Sequence, residues 1–362
     1  MKPAIGIPRR MEVIEKFKSR GGKVAAVLPI HYSRGLLRSF GILPVEVWGP
    51  PKVDVSYGGA HLQPYVCSIV HNALSFLKTG GLDVVDFIIV PHACDSLQGL
   101  GSILLDFVKP KQHVFPLYLP RGRRKEDVDF LANELRSLYD SLAKITGKKP
   151  SNEDILASIQ REEDADSLLA KLHKSRKHLE LSNLEFYRLI RSREFLPAED
   201  FAELASRALE GISERKANGI PVLMSGIVPE PMNVLEILEE MGGIVVADDM
   251  ACCGRRLYGA GKSDDPFVRA AERIVFAPPD PTRGSPIEER LEHIVSLARR
   301  SGAKGVIFYH VKFCEPELFD LPDLRKGLKD AGLPSVAIEV DINDELPHQT
   351  ITRLGAFLEV IE

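Results

Sequence analysis

The alternation of apolar and polar positions divides the chain into three stretches. In the first, short β-branched runs alternate with helical periods. Residues 11–20 are amphipathic at helical spacing and stop at Gly21–Gly22, while 23–28 and 43–48 read as buried strands, the second closed by Gly49–Pro50–Pro51. Residues 66–78 place Val66, Ile69, Val70, Ala73, Leu74 and Leu77 on one helical face and end at Gly80–Gly81. A strand over 84–90, a helix over 96–107 and a strand over 113–119 complete this stretch.

Over 121–218 the β-branched runs vanish and helical spacing takes over, at 127–144, 151–160, 164–179 and 198–216. Ser151 has the form of an N-cap, with Glu153 and Asp154 in the first turn. The charge runs of these helices read as solvated faces. Over 219–362 strands return at 221–224, 243–247, 305–310 and 335–340, separated by helices at 232–241, 286–301, 323–331 and 350–361. Strands alternating with helices imply parallel sheets with right-handed crossovers. The expected fold class is α/β: two Rossmann-like parallel-sheet domains, 1–120 and 219–362, with a helical insert over 121–218 between them.

Composition narrows the setting. A chain of 362 residues is long enough for two or three domains, and 44% hydrophobic residues is ordinary for a globular protein. The 47 basic and 51 acidic residues leave a net charge of −4, which argues against nucleic acid or a membrane surface as a general partner. No apolar run is long enough to span a bilayer, and the first residues carry no secretory signature, so the expected location is cytoplasmic. Five cysteines, an odd number in a large chain, do not suit a secreted disulfide framework.

The cysteines instead follow strands. Cys94 lies just past the run ending at Val90, Cys252 and Cys253 past the run ending at Ala247, and Cys314 past the run ending at His310. Ligands of open α/β sheets gather beyond the carboxyl ends of strands, so thiols far apart in sequence can meet there. Thiolate sulfur suits iron–sulfur clusters, zinc or copper(I). Cys67 opens one predicted helix and Cys94 precedes another, and a helix start favours a thiolate. The two are placed either to bind metal or to react.

Other polar residues cluster at the same strand ends. His92 and His310 flank cysteines and are candidates for acid–base work, for donating to a metal centre, or for plain packing. Lys312 would favour thiolate or sulfide charge near Cys314. Ser225–Gly226 could form an anion-binding turn or an ordinary strand–helix turn, and Arg255 or Arg256 could hold a phosphate or carboxylate. Asp249 reads as a helix cap or a general base. Gly259–Ala260–Gly261–Lys262–Ser263 lacks the first glycine of a phosphate loop and follows no strand, so nucleotide binding is rejected there.

Several of these segments, in this order, resemble the 2-hydroxyacyl-CoA dehydratase family, which includes benzoyl-CoA reductase subunits and double-cubane cluster proteins. They are Pro64-x-x-Cys67–Ser68, Pro91–His92–Ala93–Cys94–Asp95–Ser96, Ser225–Gly226, Asp248–Asp249 with Cys252-x-Gly254-x-Arg256, and Lys312–Phe313–Cys314–Glu315–Pro316–Glu317. The tail from Leu346 to Phe357 fits as well. The resemblance implies a [4Fe–4S] cluster on Cys67, Cys94 and Cys314, with one iron left open. It also implies an ATP-dependent activator protein as electron donor, a 2-hydroxyacyl-CoA substrate that loses its hydroxyl by one-electron chemistry, and a homodimer or a heterodimer with a paralogous subunit. Adjacent Cys252 and Cys253 depart from the usual single cysteine and open a second reading, a double-cubane [8Fe–9S] reductase acting on small molecules. A non-catalytic electron-transfer subunit and a zinc-stabilised α/β protein are the other readings.

Overall fold

The apolar runs pair in parallel. In the computed structural model, which describes residues 6–213 and 218–362, β1 (Lys23–Val27), β2 (Ile42–Glu46), β3 (Phe87–His92) and β4 (His113–Tyr118) form one sheet in the order β2-β1-β3-β4. The strands β5 (Ile220–Gly226), β6 (Gly243–Met250), β7 (Gly305–Val311) and β8 (Ser335–Val340) form a second in the order β6-β5-β7-β8. The two sheets share one topology, and β3 and β7 hold the same place in each. In both, the strand order reverses between the two central strands, which is where ligand crevices of such sheets open. The strands β3 and β7 are buried from Phe87 to Pro91 and from Gly305 to Val311, and apart from Tyr309 and His310 they carry no polar side chain there, as expected of parallel strands covered on both faces.

The helices are α1 (Arg10–Ser19), α2 (Arg34–Ser39), α3 (Ser56–Gly59), α4 (Ser68–Lys78), α5 (Asp95–Ile103), α6 (Lys125–Thr146) and α7 (Asn152–Lys174). They continue with α8 (Asn183–Arg191), α9 (Ala198–Glu210), α10 (Asn233–Glu240), α11 (Pro266–Val275), α12 (Ile287–Ser301), α13 (Glu315–Asp330) and α14 (His348–Ile361). One apolar cluster spans both sheets: Val24, Ala26 and Ile88 of the first, Val222, Met224 and Ile307 of the second, and Leu169, Phe186, Leu189 and Phe201 of α7, α8 and α9. The other face of the first sheet packs Val27 and Ile89 against α6 and α11, through Leu131, Leu135, Ala271 and Ile274. The other face of the second packs Leu223, Val306 and Phe308 against Ile294 of α12 and Leu324 and Leu328 of α13.

Several local expectations change. The stretches 151–160 and 164–179 are not separate helices but parts of α7, which runs unbroken from its Ser151 cap; Ser151 Oγ accepts from the Asp154 N–H at 3.2 Å. Arg161 and Asp164 there are exposed, but not every charge is solvated. Glu162, Glu163 and Asp166 are buried and bridged to Arg34, Arg193, Arg269 and Arg273. α13 begins at Glu315 rather than 323, with Pro316 in its first turn, where a missing N–H costs nothing. α2, α8 and α11 are not among the elements expected from the sequence. α9 stops at Glu210, and the end of the predicted 198–216 helix lies outside the described residues. Among the described residues, no helix is long and apolar enough to cross a membrane.

Candidate functional site

Three helices start at cysteines. Cys67, Cys94 and Cys314 are the N-cap residues of α4, α5 and α13. Cys94 follows β3 and Cys314 follows β7, the equivalent strands of the two sheets. Phe313 takes a left-handed backbone conformation, φ 62°, while the Lys312 N–H donates to the Val340 carbonyl at 2.7 Å, and this turn sets Cys314 at the start of α13. Such a φ is uncommon for a residue with a Cβ. Cys67 and Cys314 are buried and Cys94 is partly exposed.

The three thiols share one electrostatic neighbourhood. Burial pushes the Cys94 thiol up to about 12, and Cys67 adds to the rise. Burial likewise raises Cys314 well above the usual thiol range, with Cys67 and Cys94 both contributing, and burial raises Cys67. None of the sulfurs makes a cap hydrogen bond to its helix, yet the first-turn N–H groups of Ile69 and Val70, of Ser96 and Leu97, and of Glu317 oppose each rise. Protonated thiols therefore converge where helix dipoles favour negative charge. A cavity of about 220 Å³ opens beside Cys94, walled by Arg121, Thr282, Glu315 and Phe319.

Around this point lies a buried charge network. Arg255 is fully buried; its guanidinium donates to Asp249 at 3.2 and 3.1 Å and to Glu317 at 2.5 Å, and lies 3.7 Å from Asp280. Arg290 reaches Glu317 at 3.3 Å and Asp320 at 2.7 Å. Burial opposes the charge on Glu317, but Arg255 and Arg290 outweigh it and hold the carboxyl at about 2. Ser225 Oγ donates to Asp249 at 2.9 Å. At Gly226, φ is +154° and a Cβ would stand 2.0 Å from the Tyr309 carbonyl oxygen, so only glycine fits this crossing of β5 and β7.

The matching family is described as 2-hydroxyglutaryl-CoA dehydratase, D-component, and the match covers residues 29–361. The chain belongs to this family. It is 25% identical to the (R)-phenyllactyl-CoA dehydratase beta subunit of Clostridium sporogenes, over 96% of this chain and 94% of that protein. It is 25% identical to the (R)-2-hydroxyglutaryl-CoA dehydratase beta subunit of Acidaminococcus fermentans, again over 96% and 94%. A benzoyl-CoA reductase subunit of Thauera aromatica is 23% identical, over 94% of this chain and 91% of that protein. These relatives are dehydratase and reductase subunits, so this D-component family member has an enzyme-related role.

The remaining candidates of this D-component family member lie in different settings. His92 packs edge-on to Tyr118 at 4.6 Å, burial lowers its pKa, and neither ring nitrogen has a hydrogen-bond partner among the described residues. His310 is buried 3.6 Å from Glu317, and burial lowers its pKa as well. Lys312 is exposed, its ammonium 5.1 Å from the Phe313 ring centroid. Ser225 and Arg255 are buried and committed to partners within the network. Cys252 and Cys253 touch, with their sulfurs 3.3 Å apart, and are nearly inaccessible. Burial raises Cys253 well above the usual range, and its further neighbours are Cys252, Asp248 and Arg191.

Sequence reasoning missed His31 and Asp280, and gave Glu317 only as the last residue of a motif, with no role. His31 sits beyond β1 with φ 66°, and its Nε2 lies 3.1 Å from Asp280. Asp280 also accepts from the Thr282 N–H at 2.8 Å, capping the turn that walls the cavity. An Asp immediately before a Pro, as in Asp280–Pro281–Thr282, was the readable signal for that cap. Among the described residues, no three His, Cys, Asp or Glu side chains gather closely enough to hold a single metal ion. The donor set still fits a cluster, which offers a different iron to each thiolate, and three soft sulfurs facing three helix starts are the donors such a group takes.

Proposed function

We propose that this chain is an iron–sulfur subunit of a 2-hydroxyacyl-CoA dehydratase-like enzyme, with a [4Fe–4S] cluster held by Cys67, Cys94 and Cys314 and one iron left open. The observation that carries this reading is the meeting of three N-cap thiols, from helices that follow equivalent strands or pack beside them, in one electrostatic neighbourhood. When bound, the cluster supplies single electrons at low potential. The chain's own part is to release the thiol protons as the group binds, to set three helix N-termini against its negative charge, and to leave Cys94 open to the cavity walled by Arg121 and Thr282. The subunit names of the relatives support work alongside another subunit on an acyl-CoA; a paralogous subunit or a second copy as that partner, an ATP-hydrolysing activator as electron donor and a place in the cytoplasm complete the proposed reading.

The test is iron and sulfide analysis, with spin-resonance spectra, of protein purified without oxygen. About four irons per chain are expected, with loss in Cys67→Ser, Cys94→Ser and Cys314→Ser variants whose circular dichroism stays native. A native-like protein that keeps its iron in all three variants would overturn the assignment. About eight irons per chain would favour the double-cubane reading, which the touching pair Cys252–Cys253 keeps in view.

A further inference from the structure

A cavity of about 240 Å³ lies between α1, the edge strand β2 and the end of α4, and reaches across to Glu230 in the second half of the chain. It shares no lining residue with the cavity beside Cys94, so it is a site apart from the cap thiols. Ile14, Val45, Val47, Trp48, Phe76 and Leu82 give it apolar walls, and all but Phe76 are buried. The Trp48 indole N–H already donates to Glu46 at 3.1 Å, so the ring has no polar group left to offer.

One end is polar but carries no net charge. Arg10 and Arg191 meet Glu194 at 2.8 and 2.7 Å, and Arg191 meets Glu230 at 2.6 Å. Arg191 spends Nε on Glu194 and Nη1 on Glu230. Its Nη2 makes no hydrogen bond among the described residues and is not sealed off from solvent. An open donor thus stands at the end of an apolar slot.

We propose that this cavity is a second binding site, for a small uncharged molecule made of an aromatic ring and a short tail ending in a carbonyl. The carbonyl oxygen accepts from Arg191 Nη2, and the ring lies against Trp48, Val47 and Phe76. Size sets the class: a cavity of about 150 Å³ takes benzene, and drug-sized ligands need about 300 Å³ or more. Charge sets the head group. A carboxylate would leave water to sit beside Glu194 and Glu230, whereas a neutral carbonyl loses less hydration and gains a charged donor. Water in an apolar slot finds few partners, so the ring displaces it at a gain. A bound molecule touches β2 of the first sheet and the loop after β5 that carries Glu230, and so stabilises the two halves together.

The experiment titrates phenylacetamide into the full chain by calorimetry, with Trp48 emission as the local readout because no other tryptophan is present. Saturable heat at millimolar ligand, a parallel change in Trp48 emission and a rise in the thermal midpoint are expected. Phenylacetate, the same shape with a charged head, is expected to bind at least about tenfold more weakly. Val47→Phe, which fills the slot, is expected to keep its native circular dichroism and to weaken phenylacetamide by about tenfold or more. The amide–acid comparison needs only the parent chain and stands even where the variant fails to fold. No saturable binding to the parent, phenylacetate binding as tightly as the amide, or a native-like Val47→Phe that binds as well as the parent would each overturn the proposal. None of these readouts depends on iron content, so their failure is distinct from failure of the cluster assignment.

Discussion

Arg255→Met tests whether the buried network beneath the cap thiols holds the two sheets' loops together. Arg255 has no exposed surface and makes three short contacts with Asp249 and Glu317, with Asp280 3.7 Å away. Methionine fills much of the volume but leaves these buried carboxylates short of one cation. Breaking a buried pair by removing one partner costs about 3–5 kcal/mol, against the smaller net worth of the intact pair. Arg290 still reaches Glu317 and His31 still faces Asp280, so the lower end, about 3 kcal/mol, is expected. Arg255→Lys keeps the charge but loses the planar fork, and about half that loss is expected. Urea unfolding read by circular dichroism and by Trp48 fluorescence gives the measurement; Trp48 is the single tryptophan and lies buried beside the first sheet. A double-mutant cycle with Glu317→Gln should return a coupling of about 1 kcal/mol or more. A midpoint for Arg255→Met equivalent to less than about 1 kcal/mol of change would refute the argument, because no buried carboxylate would then depend on this guanidinium.

Burial pushes Glu162 up, but Arg193, Arg34 and Arg38 win and hold its carboxyl at about 2 against an ordinary 4.5. A depressed carboxyl stabilises the fold fully above pH 4.5 and stops doing so as pH falls through 2. The expected loss across that window is about 3 kcal/mol, and Glu162→Gln should flatten it; superimposable acid-unfolding curves for the variant and parent would count against this. Gly226→Ala forces a Cβ onto the Tyr309 carbonyl and should cost about 3 kcal/mol in the same urea assay, whereas a loss under about 1 kcal/mol would mean that β5 and β7 part easily.

The strands were legible because β-branched runs bounded by Gly and Pro have little other use, and their ends placed Cys94 and Cys314 correctly beside β3 and β7. Cys67 was legible for a different reason, at the start of a clean helical period. The buried ion network was not. Glu162, Glu163 and Asp166 sit among other charges on α7 and read as a wet face, and their arginines come from residues 34, 193, 269 and 273, which no local window connects. α2 has six residues and contains Gly35, and α11 starts at a proline after a polar loop, so neither offers enough periods to read. The cavity beside Cys94 depends on a turn capped by Asp280, far along the chain from the strand that precedes it.

Two of the cap sulfurs issue from the first sheet and the third from the second. A chain still emerging from the ribosome offers Cys67 and Cys94 long before Cys314 exists. A group that needs all three must wait for synthesis to near its end and for both halves to dock, so on the proposed reading loading is a late event and truncated chains have no complete nest to fill.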